Sequence, residues 1–370
     1  MNVKQIYKEI EQLFPPALAQ DWDNVGLLVG NCDAQVSKIL MTIDVTKDVV
    51  AEASRLECEM ILSYHPVIWQ GLKSVTSHGP GEVVHRLIRE NIAVYSIHTS
   101  LDVITDGVND HLAEMVGIVD ARAIGDFVSN PDPGNYKLIV FVPLNAVNKV
   151  AEALYNAGAG AIGNYSMCSF QTNGIGTFKP LKGSSPAIGT TGKLQKVDEV
   201  RLEVILPADK APDVVDAMKN AHPYEMPAFD LFKNYQPQEK MGLGRMGKLK
   251  SPRRLKEILA DIKKATGANV AGIIGKPDRL IRKAAVCAGS CGKIINNVIQ
   301  ERCDLYLTGE LKHHHALAAA EANITAVCLS HTVSERFMLK KIAKNLQKKL
   351  KNVKITTSKK DKDPFNWTQI

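Results

Sequence analysis

The chain lacks the long apolar segments that membrane proteins contain. None of its 370 residues lies in an apolar run approaching the ~18 residues that a membrane span needs. Residues 1–16 mix charged and apolar side chains without an uninterrupted apolar stretch, so we expect no secretory signal. The seven cysteines are odd in number, and Cys287 and Cys291 are four apart rather than at C-x-x-C spacing. We therefore expect a cytoplasmic protein with reduced thiols, no membrane partner and no chemistry at these cysteines.

The motifs of nucleic-acid-binding and P-loop proteins are also missing. The net charge is +7, but much of the excess lies in residues 340–362, which follow a predicted helix from Thr332 to about Leu350. Without a helix-turn-helix, zinc-finger or aromatic-interleaved pattern, a solvated basic helix is favoured and nucleic-acid binding is not expected. Because there is no Walker A motif, a bound triphosphate would depend on dispersed basic residues and helix N-termini.

Apolar runs alternate with helical patterns in the two outer parts of the chain. Continuous runs such as residues 38–45 predict strands that are buried on both faces. Their alternation with helices predicts a largely parallel sheet covered by helices. Between two turn-rich linkers, the middle part has the β-α-β-β-α order of a ferredoxin-like unit. We predict an α/β core split into residues 1–126 and 239–370, with an inserted α+β domain at 127–238.

Polar residues follow several predicted strands at the point where each strand ends. His65, His98, Glu310 and His331 each come directly or almost directly after an apolar run. Ligands of open α/β sheets bind beyond the carboxyl ends of the strands, so these side chains are expected to share a crevice at one sheet. Imidazole and carboxylate together suit Zn, Fe, Mn or Co better than Mg or Ca. The pattern therefore predicts a metal site.

Two of these spacings have a structural as well as a metal-binding interpretation. His331 and Glu335 lie four residues apart and can close on one ion if a helix begins at or before His331. Thr332 and Glu335 fit a capping box equally well. Asp102, four residues after His98, can be a second ligand or can organise an Asx-type turn. The convergence of several strand ends favours the metal.

A run of three histidines, residues 313–315, is the remaining cluster. Adjacent side chains of a helix point about 100° apart, so these three cannot all reach one ion. We expect one or two of them to face the crevice. Glu310, at a strand end, is a candidate to orient a ligand imidazole through a hydrogen bond.

Five motifs resemble those of the GTP cyclohydrolase I type 2 family, also called Nif-three-like, and they occur in the same order. They are residues 22–30, 63–66, 98–102, 308–310 followed by His313 and His314, and 330–331 with Glu335. The middle segment resembles the insert of longer family members, which is similar to the CutA and PII-like ferredoxin fold. Its marks are residues 163–166 and 222–225.

This resemblance implies a toroidal homo-oligomer, typically a hexamer, with two divalent transition-metal ions (Zn, Fe or Mn) per protomer. The implied ligands are His65, Asp102, His331 and Glu335, with His98 beside or among them. Tyr64 stands where the common bacterial pattern has a second histidine. A phenol with a reference pKa of about 10 ligates less readily than imidazole, so we expect the second ion to bind weakly. Met167 replaces a histidine often found in the insert, which leaves a metal there unsupported.

Three functions are compatible with these residues. A metal-dependent hydrolase would activate water at the site, and the family name implies attack on C8 of the GTP guanine ring with formate leaving. The residues themselves support only the activation of water by a metal ion, and not the identity of the substrate that the water attacks. A metal-binding or metal-delivery protein would use the same mixed N/O site without turnover. A regulatory scaffold would bind a nucleotide or another small molecule in the insert and keep the metal as a structural element.

Overall fold

The computed structural model describes residues 1–125, 135–234 and 242–368. The chain falls into two compact units, one drawn from residues 1–130 and 238–370 and the other from residues 131–237. The predicted domain boundaries, at 126/127 and 238/239, lie outside the described residues. Each unit has an apolar core of its own.

Strands and helices alternate through most of the chain. Residues 1–125 contain α1 (Val3–Leu13), β1 (Gly26–Val29), β2 (Lys38–Thr42), α2 (Lys47–Arg55), β3 (Met60–Ser63), α3 (Glu82–Arg89), β4 (Ala93–Ser96), α4 (His98–Val103), α5 (Val108–Val116) and β5 (Ile118–Ile124). The insert contains β6 (Asn135–Pro143), α6 (Val147–Asn156), β7 (Ser169–Phe178), β8 (Gln195–Pro207), α7 (Ala211–Ala221) and β9 (Phe229–Asn234). Residues 242–368 contain β10 (Gly244–Arg254), α8 (Leu255–Thr266), β11 (Gly272–Ile274), β12 (Leu280–Cys287), α9 (Ile295–Gln300), β13 (Leu305–Thr308), α10 (His313–Glu321), β14 (Thr325–Cys328), α11 (Val333–Arg336), α12 (Leu339–Lys349) and β15 (Lys354–Thr357).

The outer unit contains two sheets. The first has the order β1-β4-β3-β2-β15 and is parallel except where β1 joins β4. The second has the order β11-β14-β13-β12-β10-β5 and is parallel only across β12, β13 and β14. The prediction of one largely parallel sheet was therefore wrong. A continuous apolar run indicates that a strand is buried, but it carries no information about which strand lies beside it.

One apolar cluster joins the two sheets. It includes Met41 and Leu62 from the first sheet and Val286 and Leu307 from the second. All four side chains are 1% exposed or less, so the sheets bury their apolar faces in a common core. Side chains at the carboxyl ends of β3, β4 and β14 can therefore meet although they belong to different sheets.

Arg245 of β10 fixes the end of helix α4. It is 1% exposed, and its Nε lies 2.5 Å from Oδ1 of Asp110 on α5. Its Nη2 donates to the carbonyl oxygens of Val103 and Ile104, where α4 ends, at 3.0 and 2.9 Å. A buried guanidinium is stable only when its donors are paired, so these contacts hold α4, which carries His98 and Asp102, in one position.

The insert is a four-stranded antiparallel sheet with the order β7-β8-β6-β9. In chain order its elements are β-α-β-β-α-β, the ferredoxin-like arrangement, so it has one strand more than the predicted order. Alternate residues of β6 and β8 pack against α6 and α7 and form its core. Phe141 and Glu199 lie at the intervening positions of β6 and β8, so they belong to the opposite face of the sheet. The finer similarity to CutA and PII-like proteins stays a prediction.

None of the helices in the described ranges is long and apolar enough to cross a membrane.

Candidate metal centre

Three histidines lie close together just beyond strands of both sheets. His65 follows β3, His98 follows β4 at the start of α4, and His331 follows β14. The ring centroid of His65 lies 5.2 Å from that of His98 and 5.3 Å from that of His331. All three line a cavity of about 530 Å³. The expectation that these strand ends share one crevice is met, although the crevice lies between two sheets.

A carboxylate holds each of these histidines by its Nδ1. The Nδ1–oxygen distances are 2.8 Å for His65 and Asp44, 2.7 Å for His98 and Asp23, and 2.9 Å for His331 and Glu310. When Nδ1–H donates to a carboxylate, the neutral ring keeps its lone pair on Nε2, the arrangement typical of metal-ligating histidines. Glu310 was predicted for this role, whereas Asp44 and Asp23 were not. The available signals were that Asp44 also ends an apolar run and that Asp23 belongs to the first family-like motif.

Glu335 faces two of the imidazoles. Its Oε2 lies 3.3 Å from Nε2 of His65, and its Oε1 lies 3.4 Å from Nε2 of His331. Ligand atoms of these three residues all lie within 4.8 Å of one another, which suits a shared metal ion. His98 and Asp102 line the same cavity outside this group.

The polar atoms inside this group have the features of a cation site. Within the described part of the chain, Nε2 of His65 and Oε2 of Glu335 are buried, lie 3.3 Å apart and have no hydrogen-bond partner. Glu335 is only 2% exposed. Burial by itself lowers the pKa of His65, but the carboxylates of Asp44 and Glu335 outweigh it and raise the pKa to about 10. The group attracts positive charge, and its two imidazoles and one carboxylate fit a divalent transition metal.

The carboxylate of Glu335 is free for this role because Thr332 does not form a capping box. Thr332 has helical backbone angles and makes no side-chain cap; its Oγ1 instead accepts a hydrogen bond from Nη1 of Arg336 at 3.1 Å. The capping-box interpretation was wrong. The single helix predicted from Thr332 to about Leu350 is divided into the short α11, which carries Glu335, and α12.

Gly289, just after β12, makes room for the Glu335 carboxylate. Its φ of +67° lies in the left-handed region that favours glycine. A Cβ at this position would lie 2.7 Å from Oε1 of Glu335 and 3.4 Å from Nε2 of His331. The amide of Gly289 donates to Oγ of Ser334 at 2.9 Å, which fixes the loop beside α11.

Asp102 lies on helix α4 and accepts a hydrogen bond from the hydroxyl of Tyr64. The Asx-turn interpretation was therefore wrong. Burial is the main reason that the pKa of Asp102 rises to about 6, and the nearby charge of Glu335 adds to it. Tyr64 is 1% exposed, and burial raises the pKa of its phenol well above the ordinary value. Tyr64 thus acts as a protonated donor behind Asp102.

Two exposed tryptophans stand at the mouth of the cavity. Trp22 is 61% exposed and Trp69 is 58% exposed, and their ring centroids are 5.5 Å apart. Both rings approach the imidazole of His98, at 5.9 and 5.5 Å. The loop of Trp69 is held by Nδ2 of Asn24, which donates to the carbonyl of Ile68 at 2.7 Å. Exposed aromatic pairs beside a polar cavity are typical of ligand sites rather than of ordinary surface.

The histidine run faces a neighbouring cavity. His315 lines this second cavity of about 540 Å³ together with Lys293 and Lys312, and Trp22 and Ser290 line both cavities. His313 and His314 are exposed. One histidine of the run therefore faces a cavity, but not the one that contains the metal-type group.

Comparisons with known proteins identify the family of this chain. Residues 1–364 match the profile of the Duf34/NIF3 family (NGG1p interacting factor 3). The chain belongs to this family. It is 36% identical over 372 residues to the GTP cyclohydrolase 1 type 2 homolog of Bacillus subtilis strain 168, covering 99% of both chains. It is 37% identical over 343 residues to the protein of the same name from Mycobacterium tuberculosis H37Rv, covering 90% of this chain and 88% of the relative.

Solved structures of NIF3-like proteins have the same fold. The Bacillus cereus protein related to NIF3 is 35% identical and superimposes with a TM-score of 0.75, covering 100% of this chain and 99% of the other. Staphylococcus aureus protein SA1388 is 28% identical and superimposes with a TM-score of 0.80 over the same shares. The family resemblance predicted from the five motifs is confirmed.

Replacing Gly289 tests the geometry of the group. We expect Gly289→Ala to displace the carboxylate of Glu335 and to lower bound divalent metal at least about tenfold, since supporting residues of metal sites affect affinity by about 10–100-fold. Metal per chain after gentle purification, measured by plasma mass spectrometry, is the readout. Gly272→Ala is the control, because a Cβ there meets no atom closer than 3.6 Å. Equal metal content in both variants would contradict the assignment.

Proposed function

We propose that this protein is a metal-dependent hydrolase that activates water against a nucleotide or a related heterocycle. The observation that carries this proposal is the group His65, His331 and Glu335 beside the exposed tryptophan pair. A divalent metal ion held by these three residues would lower the pKa of a bound water toward about 7 and so supply a nucleophile at neutral pH.

The surrounding residues orient the ligands. Asp44 and Glu310 fix the rings of His65 and His331 through Nδ1. The lone pair on each Nε2 therefore points away from Asp44 or Glu310 and is available to a metal ion. For the second ion that the family resemblance implies, His98 and Asp102 are the available ligands, because they line the same cavity. Asp102 already accepts a hydrogen bond from Tyr64, so we expect this second position to bind metal more weakly.

The tryptophans and the second cavity favour an aromatic, phosphorylated substrate. Trp22 and Trp69 offer ring faces on which a planar base can stack. Trp22 also borders the cavity that contains Lys293 and Lys312, within reach of phosphates attached to such a base. Buried Nε2 of Gln20, which lines this cavity, has no partner among the described residues and is available to donate. The name of the curated relatives, GTP cyclohydrolase 1 type 2 homolog, makes GTP the first substrate to test.

Metal delivery without turnover is the alternative. It is favoured by the exposure of one ligand: the side chain of His331 is 35% exposed, whereas that of Glu335 is 3% exposed. An ion held partly by an exposed imidazole can be passed to an acceptor without opening the core. A scaffold in which the metal is only structural would show neither turnover nor transfer.

Release of formate separates the first two functions. Reconstituted protein is expected to release formate from GTP, and His331→Ala is expected to lose bound metal and all turnover, because it removes one of three ligands. Formate is measured with a coupled dehydrogenase, and metal by plasma mass spectrometry. His314→Ala, on an exposed face of α10, should retain both. The metal-loaded protein could instead fail to turn over GTP or related heterocycles and yet transfer its ion to a chelating acceptor. That outcome would contradict the hydrolase function and support metal delivery.

Removal of the tryptophan side chains tests substrate recognition. Stacking of a base on an aromatic side chain is worth about 1–3 kcal/mol, so Trp22→Ala and Trp69→Ala should each raise KM for the nucleotide by about fivefold or more. Metal content should stay that of the wild type, since neither indole belongs to the metal group. Trp367→Ala, also an exposed tryptophan, is the control. An unchanged KM in both variants would exclude stacking at this site.

The toroidal homohexamer implied by the resemblance is also part of the proposal, and the cytoplasmic location stays a prediction. Light scattering coupled to gel filtration should give six times the 40.5 kDa of one chain. A monomer across the micromolar range would contradict the ring.

A further inference from the structure

A third cavity lies within the insert. It has a volume of about 260 Å³ and is lined by Phe141, Phe178, Tyr224, Glu199 and Glu225 together with small and apolar residues. No lysine, arginine or histidine lines it. Drug-sized ligands occupy about 300–1,000 Å³, so this cavity suits a smaller molecule. Its aromatic walls and acidic groups predict an occupant that is both apolar and positively charged.

Glu199 is the buried charge of this cavity. It lies on β8 and is 8% exposed, and its Oε1 accepts a hydrogen bond from the hydroxyl of Tyr224 at 2.9 Å. In the described ranges, no basic group lies within ion-pair distance of it, whereas Glu203 on the same strand pairs with Lys137 at 2.7 Å and Arg201 at 3.0 Å. A buried carboxylate without a cation is costly, so a ligand that supplies the cation is favoured.

Gly176 leaves space for the carboxylate of Glu199. A Cβ at Gly176, on the neighbouring strand β7, would lie 2.0 Å from Oε2 of Glu199. A side chain at position 176 would therefore displace the carboxylate from this place.

The aromatic walls of the cavity meet at an angle, and hydrogen bonds fix the loop of one of them. The rings of Phe178 and Tyr224 have centroids 5.6 Å apart with planes inclined by 60°, so they form two sides of a corner. His222 fixes the loop of Tyr224: its Nε2 donates to the carbonyl of Phe141 at 2.9 Å, and its Nδ1 accepts from the amide of Tyr224 at 3.0 Å. Burial lowers the pKa of His222, which agrees with the neutral ring that these two bonds require. The faces of aromatic rings attract cations, most strongly where water is excluded.

We propose that the insert binds a compact organic cation in this cavity, with its ammonium group between the carboxylate of Glu199 and the rings of Phe178 and Tyr224. A bare divalent metal ion fits less well, because the lining is largely apolar and because the described residues contain no metal-type group of three His, Cys, Asp or Glu here. The inference does not depend on the proposed hydrolase function, since every residue that carries it belongs to the insert.

Choline and its uncharged isostere 3,3-dimethyl-1-butanol provide the test. The two molecules have nearly the same shape, and only choline carries a charge. Titrated calorimetrically into the full-length protein, choline should bind about tenfold more tightly than the alcohol, the ratio expected when a cation meets both a carboxylate and ring faces. Glu199→Gln, which keeps shape and hydrogen bonding, should weaken the binding of choline about threefold, because the ring faces remain, and should leave the binding of the alcohol unchanged.

Two further variants make the result specific. Phe178→Leu keeps an apolar wall but removes a ring face. It should therefore weaken the binding of choline about threefold or more and change the binding of the alcohol little. Glu203→Gln removes a carboxylate from the same strand outside the cavity and should change neither affinity. Thermal unfolding checks that each variant is folded. Absence of choline binding, equal affinities for the two ligands in the wild type, or choline binding that Glu199→Gln leaves unchanged would each overturn the proposal.

Discussion

The outer unit depends on a buried carboxylate that faces two imidazoles from different sheets. Glu335 reaches His65, beyond a strand of the first sheet, and His331, beyond a strand of the second. This meeting requires the sheets to share a core, so that the carboxyl ends of their strands converge. It also requires the single turn of α11 to begin where it does and Gly289 to lack a side chain. The position of one carboxylate therefore depends on each of these features.

Among the described residues, the arrangement buries two polar atoms without hydrogen-bond partners, and in the absence of a metal ion a proton on His65 offsets part of that cost. A buried carboxylate with an unpaired oxygen costs several kcal/mol, and the hydrogen bonds that orient the imidazoles fix further polar groups. A metal ion that binds the folded chain and not the unfolded chain returns this free energy as stability. The buried Arg245, paired with the half-buried Asp110, supports the site from behind, because it holds the helix that carries His98 and Asp102. The buried polar atoms of the cavity therefore lower the stability of the folded chain, whereas the contacts around the cavity keep its side chains in place.

Local patterns in the sequence were sufficient to find the ligand-type residues but not their surroundings. His65, His98 and His331 stand beyond apolar runs, and this signal needs no knowledge of pairing. The division into two sheets was missed because strand pairing is set by contacts between distant parts of the chain. Trp69 was missed for a similar reason: its position depends on Asn24, which is 44 residues away. The capping box failed because Thr332 took helical backbone angles, which a sequence motif does not determine.

The cavity of the metal-type group and the cavity of the insert indicate that the nearby side chains, rather than the net charge, determine which ligand each would favour. The chain carries a net charge of +7, yet each cavity presents carboxylates to its occupant. Net charge influences association at long range and is screened within about 8–10 Å in physiological salt, whereas a buried carboxylate acts at contact distance in a medium of low polarity. The difference between the cavities lies in what accompanies the carboxylates. Imidazoles held by hydrogen bonds favour a coordinated metal ion, and aromatic faces without imidazoles favour an organic cation.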